Sequence, residues 1–568
     1  MLPPARSLRI LLVLLVTCCL SSRLLPDSAP APDAQTRVAQ LEQIYADAVD
    51  AIGVISTIDS GLFSTYREKD RAAWKRLYTE KRAQLVAGLS TLPTEDLSPS
   101  LSQADARVVG IMRNALQSTL PEDPNASSGA IGPPSGSCKN ASRKDLDAAA
   151  LQHALYSCFG EVGNNLSFEG KRVTRDSAIA MLGQIDDPQR RKALFLAFVP
   201  LWETINGKDE PDSPYRRRIK FAAAHDLTIH ASPIDAAAKD LGLTTDEVEQ
   251  WLEKILDTWR QVTPNQPVEP WDYRYVAGGG DRGADRALAS TLSPESMLAM
   301  NYAYYHDLGA DLKNLGILYD LEPRPGKAPI TYTDYVTMGR IENGAWQPTV
   351  SRVSASFGQS GLYVLNMLVH ENGHAVHYEA IHNRPAFMDI GDDFFCEAFA
   401  DVTSWNVYDP AWQRKYMGRE VSESAGLRSQ YTMVTLEATW ALFELRMLHH
   451  PEADPNLVWT EITSHSLHII PHPEYSWWAQ RVQLVDTPGF MINYGLGAVV
   501  TAELRQHIRQ QIGPFNTGNP QWYPFVSSHL LQYGTERETL GLLRDFLGRP
   551  VSPDALVNDI RRLSPVPH

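Results

Sequence analysis

The sequence predicts a mainly α-helical protein carrying one small β-sheet, and three observations support that class. Apolar residues recur at helical spacing over most of the 568-residue chain, as in Val38-Ala39-Gln40-Leu41-Glu42-Gln43-Ile44. Two segments near residues 330–357 break the pattern, alternating and rich in β-branched side chains. The composition, 43% hydrophobic and 21% charged, is that of a folded globular chain and excludes wholesale disorder, collagen-like repeats and low-complexity sequence. The length suits a large core and roughly two to four domains or lobes. With 52 Lys and Arg against 67 Asp and Glu, the formal charge is −15. A general nucleic-acid binder needs a basic face, so no nucleic-acid partner is expected.

The chain opens on a leader. Arg6 and Arg9 precede the apolar run from Ile10 to Leu20, which is too short to span a bilayer and suits the apolar region of a signal peptide. Ser21 to Ala34 holds Ser, Pro and Ala and reads as a cleavage and spacer region; a membrane anchor left uncut is the alternative. Leu15-Val16-Thr17-Cys18 fits a lipoprotein box poorly, because Thr precedes the Cys. No later stretch approaches about 18 apolar residues. An exported protein, periplasmic or secreted, is therefore expected, with no stable membrane span after cleavage and as a monomer. Cys18 and Cys19 leave with the leader, and Cys138, Cys158 and Cys396 remain. In an oxidising compartment Cys138 and Cys158 can pair across a short loop; two free thiols are the alternative. The sequons at Asn125, Asn140 and Asn165 matter only in a eukaryotic secretory route.

Helical spacing runs from Thr36 to about Leu120. Pro121 to Gly136 is rich in Pro, Gly, Ser and Asn and reads as an exposed loop. Helical signals resume from Ser142 to about Asn206 and from Thr244 to Val262, the second with a capped start in Thr244-Thr245-Asp246-Glu247. Gly278-Gly279-Gly280 lacks the Gly-Lys-Ser/Thr ending of a phosphate loop and reads as a surface loop. The strands are Ile330 to Val336 and Thr349 to Phe357. No internal repeat is evident.

The chemistry concentrates in His370-Glu371-Asn372-Gly373-His374, which follows the apolar stretch from Leu362 to Val369. Positions i and i+4 share one helix face, so His370 and His374 can offer two imidazole nitrogens to one Zn²⁺ at about 2.0–2.1 Å. Glu371 can reach a water on that metal without ligating it, as the general base that later carries the proton to the leaving amine. For the pentapeptide alone, a buried helix with hydrogen-bonded histidines is the alternative. A third ligand is required. The long motif that adds a third His needs Gly three residues past the second; that position is His377, which disfavours the class. A carboxylate from a following helix fits better. Asp392 to Val402 has acids where a helix N-terminus favours them, and Glu397 among small and apolar neighbours, where an unpaired carboxylate is costly. Asp401, four residues on, can accept the other N–H of a zinc histidine. A surface acid is the alternative for Glu397. The expected cofactor is one Zn²⁺ on His370, His374 and Glu397.

Residues 370–377 resemble the HExGHxxH signature of the thimet-oligopeptidase and oligoendopeptidase family. Cys396-Glu397-Ala398-Phe399-Ala400-Asp401 resembles the third-ligand helix of the related angiotensin-converting-enzyme family, where Glu holds zinc and Asp stands behind a zinc His. The resemblance implies a gluzincin peptidase: a two-lobed, almost wholly helical body with a deep central channel. The specific match spans about 370–401 and a weaker likeness about 330–510; the first 300 residues agree only in being helical. It also implies that an extended segment before the zinc helix, here Ser354-Ala355-Ser356, pairs with the peptide, so Ser354 and Ala355 are expected to bind substrate. Tyr494, within Met491 to Ala498, is implied as the donor to the developing oxyanion; a packed aromatic is the alternative. His377 and His472 are read as structural. Met491, Asn493 and Leu484 depart from the angiotensin-converting-enzyme pattern where a C-terminus-holding Tyr, a chloride-binding Arg and a carboxylate-clamp His belong. Dipeptide-releasing specificity and chloride activation therefore do not carry over.

The chain is thus divided into a signal peptide (1–25), a flexible spacer (26–35), a helical N-terminal region (36–329) and a zinc-binding catalytic region (330–568). The expected function is hydrolysis of peptide bonds in short peptides, with Glu371 as general base. An exported, catalytically inactive zinc- or peptide-binding protein on the same scaffold is the alternative. Glu371 argues against it, since a site that only binds metal does not require that residue. A metallohydrolase acting on non-peptide amides is a third reading.

Overall fold

The computed structural model describes residues 34–563, apart from 63–65, 93–100, 118, 125–137, 139–142, 230–232, 278–287, 289–290, 323–330, 343 and 356–360. The expected leader, most of the expected spacer, Asn125, Asn140, most of the loop expected at 121–136, Gly278–Gly280 and Ser356 lie outside the described residues. Helices dominate, as expected. Helix α1 (Ala34–Asp59) begins inside the expected spacer. Helices α2 (Arg71–Ser90) and α3 (Gln103–Ala115) pack on it, and α3 starts where Ser102 Oγ accepts the Asp105 N–H at 3.1 Å. Their apolar faces build a separate core of Leu41, Val49, Leu85, Val108 and Met112, completed by Tyr378, Ile381, Phe387 and Met388.

The expected helical stretch from 142 to 206 is interrupted by a hairpin, β1 (Leu166–Phe168) and β2 (Lys171–Val173). Its two turn residues, Glu169 and Gly170, have φ of 51° and 72°; a two-residue hairpin turn of this hand needs positive φ at both positions. The three-residue strands are too short to disturb a helical pattern. Helix α4 (Thr245–Val262) starts as expected: Thr244 Oγ1 accepts from Glu247 N and Glu247 Oε2 accepts from Thr244 N. Helix α5 (Pro294–Asp307) leads to the sheet region.

Strands β4 (Tyr332–Thr337) and β7 (Val350–Ser354) fall in the two segments expected to be extended. Two features were not anticipated. Strand β3 (Ile317–Asp320) joins the sheet in parallel, giving the order β3-β7-β4, and β5 (Arg340–Glu342) with β6 (Ala345–Gln347) forms its own hairpin. The sheet therefore draws strands from both sides of residue 330. Among the helices that follow are α6 (Leu362–Ala380), α7 (Asp393–Ser404), α8 (Glu423–His449) and α9 (Met491–Ile512). The large core holds Leu365, Val369 and Val376 of α6 together with residues of α4, α5, α7, α8 and α9, while Tyr378 at the end of α6 enters the smaller core. Cys138 and Cys158 form a disulfide and Cys396 is free. No described helix is long and apolar enough to cross a membrane.

Candidate metal centre

Helix α6 is buried along nearly its whole length, polar residues included. It meets α7 closely at one point. A Cβ on Gly373 would lie 2.7 Å from Ala400 Cα and 3.0 Å from Ala400 O, so the glycine between the two histidines is what lets the helices touch. Side chains from other elements fix the pair. Tyr305 on α5 donates its hydroxyl to Val369 O at 2.7 Å and lies 2.8 Å from Thr403 Oγ1, joining α6 to α7. Thr501 on α9 donates to Ala398 O at 3.0 Å, and Arg505 donates to Val402 O.

This packing brings together the three side chains expected to hold metal. His370 Nε2 and His374 Nε2 are 3.1 Å apart. Glu397 Oε2 lies 3.2 Å from the first and 4.0 Å from the second. Two donors on a tetrahedral zinc at about 2.05 Å are about 3.3 Å apart, so the triangle has the size of such a site. Its chemistry fits as well. Asp401 Oδ1 accepts from His370 Nδ1 at 2.8 Å and from Ser404 Oγ at 2.7 Å. With its proton on Nδ1, His370 turns a lone pair from Nε2 toward the Glu397 carboxylate. Two acceptors facing at 3.2 Å need a cation or a proton between them.

The charges agree. Burial alone would depress His370, but the carboxylates of Asp401 and Glu397 outweigh it and raise the imidazole well above its ordinary range. Burial, then His370, pulls His374 down to about 4, which keeps it neutral with a lone pair to give. Burial opposes Asp401's charge, but His370 and Ser404 overcome it and hold the carboxyl below its usual range. His377, at about 3, is depressed by burial and then by His374, and its ring packs against Phe395 and Phe399; it is a core residue, as expected.

Glu371 is 3% exposed. Thr333 of β4 donates its hydroxyl to Glu371 Oε2 at 2.7 Å and to the Glu371 carbonyl at 3.0 Å. Burial raises the Glu371 carboxyl to about 7, against the pull of His370 and Thr333. Tyr494, in the first turn of α9, accepts a hydrogen bond from Gln483 Nε2 at 3.3 Å. Burial first, and then the Glu397 charge, raise its hydroxyl well above the ordinary phenol range, with a smaller push from Glu371. The phenol thus stands near both acids with its proton retained.

Ser354 ends the sheet's central strand and Ala355 follows it. Strand β7 is the central strand: Ser354 pairs with Asp320 on one side and Tyr332 on the other, and Ala355 N donates to Asp320 O at 2.9 Å. At Ser354 both sides of the strand are taken, by β3 and by β4. Strand β4 pairs only with β7 among the described residues, and it is β4 that reaches Glu371. His472 is held between Glu269 and Glu474 at 2.8 and 2.7 Å, a structural position as expected. Leu484 is fully buried.

Solved structures share this fold. Metallocarboxypeptidase 1 of Trypanosoma cruzi aligns with a TM-score of 0.54 at 12% identity, covering 93% of this chain and 99% of that one. An M32 carboxypeptidase from Deinococcus radiodurans R1 aligns with a TM-score of 0.53 at 11% identity, covering 93% and 98%. No family model and no curated protein sequence matches the chain. At these identities the likeness establishes the fold, and the resemblance to the thimet-oligopeptidase and angiotensin-converting-enzyme families rests on the motif residues alone.

Thr333 and Arg481 escaped the sequence reading. Arg481 pairs with Glu437, and its guanidinium lies 4.9 Å from the Trp440 ring and 5.9 Å from the Tyr494 ring. No local spacing ties either residue to the zinc motif; only the tertiary packing does.

Proposed function

We propose that the protein is a zinc-dependent peptidase acting on short peptides. One observation carries the reading: two imidazoles and a carboxylate from two crossing helices converge at metal-binding distances, with Glu371 beside them. His370, His374 and Glu397 would hold Zn²⁺, which would supply Lewis-acid polarisation of the scissile carbonyl and a lowered pKa for the attacking water. Glu371 takes a proton from the attacking water and hands it to the leaving amine. Thr333 orients the carboxylate that does so, and Tyr494 donates its hydroxyl to the developing oxyanion.

The two named structures are carboxypeptidases, and removal of a C-terminal residue is the specificity we carry to this chain. Arg481, the cation beside the Tyr494 ring, is the residue we assign to the free terminal carboxylate. Export through the leader completes the proposal; the Cys138–Cys158 disulfide fits an oxidising compartment.

Purified protein is assayed for metal content and for cleavage of peptides with free or amidated C-termini. Zinc near one equivalent and cleavage of free-ended peptides support the reading. Glu371→Gln should keep the zinc and lose about 10²- to 10⁴-fold in turnover. Zinc-loaded wild-type protein that cleaves no peptide refutes it, and equal cleavage of amidated peptides refutes the assignment of Arg481.

A further inference from the structure

The Tyr494 hydroxyl has one hydrogen-bond partner among the described residues. Gln483 Nε2 donates to it at 3.3 Å, and no described residue accepts the phenol's own proton. A phenol oxygen gives one proton and accepts others on its lone pairs. Gln483 occupies the accepting side, which turns the O–H away from the amide. A donor on the oxygen also makes that O–H the stronger donor.

Separate anchors hold the two partners. Gln483 opens a single helical turn, Gln483–Asp486, in which Leu484 and Val485 are fully buried. Arg218 donates from Nε to Val485 O at 2.9 Å and from Nη2 to Asp486 O at 3.1 Å. Gln152 Nε2 donates to Asp486 Oδ1 at 3.3 Å, and Arg175 Nε donates to Gln480 O at 2.6 Å just before the turn. The Tyr494 ring meets Phe490 edge to face with centroids 5.5 Å apart, and the Met491 N–H that starts α9 is held by Glu444 Oε2 at 2.8 Å. Neither partner depends on the other for its place. The hydrogen bond joins them at the one polar atom of Tyr494.

We propose that Gln483 is a positioning residue for Tyr494: its amide holds the phenol oxygen by a lone pair and leaves the O–H for the oxyanion that forms on the attacked peptide carbonyl. An amide is required at this place. A carboxylate would accept the phenol's proton, and a thioether would leave the hydroxyl free to rotate. The proposal rests on the peptidase reading and adds the residue that aims its oxyanion donor.

The test is a double-substitution cycle in the full-length, zinc-loaded protein, with rates referred to bound zinc so that unfolded chains do not count. Gln483→Met should lower kcat about 3- to 10-fold with little change in KM. Gln483→Glu should lower it about 10²-fold, close to Tyr494→Phe, because the carboxylate takes the O–H. In the Tyr494→Phe background neither substitution should lower kcat further. A phosphinic peptide, whose tetrahedral oxygen stands for the oxyanion, gives a readout without turnover. Its affinity by calorimetry should fall with kcat in the wild-type background and stay constant in the Tyr494→Phe background. Equal losses in both backgrounds, a loss confined to KM, or phosphinic-peptide affinity untouched by Gln483→Glu overturns the positioning role while the peptidase reading stands. Undiminished kcat in Tyr494→Phe does the same. Cleavage of no peptide by the zinc-loaded wild type overturns both.

Discussion

Gly373→Ala tests the geometry most directly, because it adds one methyl group at the point where the two metal helices touch. The new Cβ would stand 2.7 Å from Ala400 Cα, and ordinary contact begins near 3.4 Å. Both atoms belong to helical backbone, so a side chain cannot swing away; the helices must part by about 0.7 Å or α6 must bend. The metal donors have little room for this. His374 Nε2 and Glu397 Oε2 are already 4.0 Å apart, and two bonds to one zinc reach at most about 4.2 Å even in line. Separation therefore removes one ligand. We expect zinc affinity to fall by more than the roughly 10- to 100-fold that follows from disturbing a ligand's support. Alanine is the better helix former by about 1 kcal/mol, so weakened helix propensity cannot account for a loss. Competition against a chromophoric chelator measures the affinity, and far-ultraviolet circular dichroism checks that the helices remain. Wild-type zinc affinity in a folded Gly373→Ala variant would refute the reasoning.

Three further outcomes are expected. Asp401→Asn removes the carboxylate on His370 Nδ1 and should weaken zinc about 10- to 100-fold in the same competition assay; unchanged affinity would contradict the role given to Asp401. Tyr494→Phe should lower kcat by about 10²-fold with little change in KM, and a loss confined to KM would make the phenol a packing residue. Glu444, 1% exposed, accepts the Met491 N–H at the start of α9, and burial raises its carboxyl from 4.5 to about 8. The folded chain therefore keeps a proton that the unfolded chain releases, and stability falls as pH climbs from about 4.5 to 8, at up to about 1.4 kcal/mol per unit. Denaturant unfolding at pH 5 and pH 8 should show a smaller decline in Glu444→Gln than in wild type, and equal declines would show that this carboxyl does not titrate as described.

The proposed ligand set was legible because it is local. His370, Glu371 and His374 lie within five residues, and Glu397 and Asp401 repeat the i, i+4 spacing on the next helix. The two main strands were legible for a similar reason, since β-branched alternation is written in consecutive residues. What was missed depends on distant pairings. Ile317–Asp320 is extended because it finds β7 thirty-odd residues later, and Ser354 then has β3 on one side and β4 on the other. A motif comparison sees the segment before the zinc helix but not which neighbours it has. Thr333 and Arg481 belong to the same class: each acts on the site across the fold, and neither is marked by its flanking residues.

The bland reading of the motif, a buried helix whose histidines merely find hydrogen bonds, can be weighed against the partners of each polar side chain on α6. Asn366 donates to Ser404 O, Asn372 donates to Leu368 O and accepts from Tyr319, and Glu379 accepts from Gly316 N. Those groups are satisfied one by one, as structural polar groups in a core must be. His370, His374 and Glu397 are arranged otherwise. They crowd their acceptor atoms against one another, and His374 Nδ1 has no partner among the described residues. A core that only needed buried polar groups satisfied would not gather two imidazoles and a carboxylate with lone pairs converging, because each would then raise the cost of the others. The arrangement lowers that cost only when positive charge sits at the point of convergence, and the Asp401 carboxylate behind His370 increases the demand for it. The same helix thus contains both patterns, satisfied pairs that hold it in place and two histidines that converge with Glu397 of α7 where we propose a divalent cation.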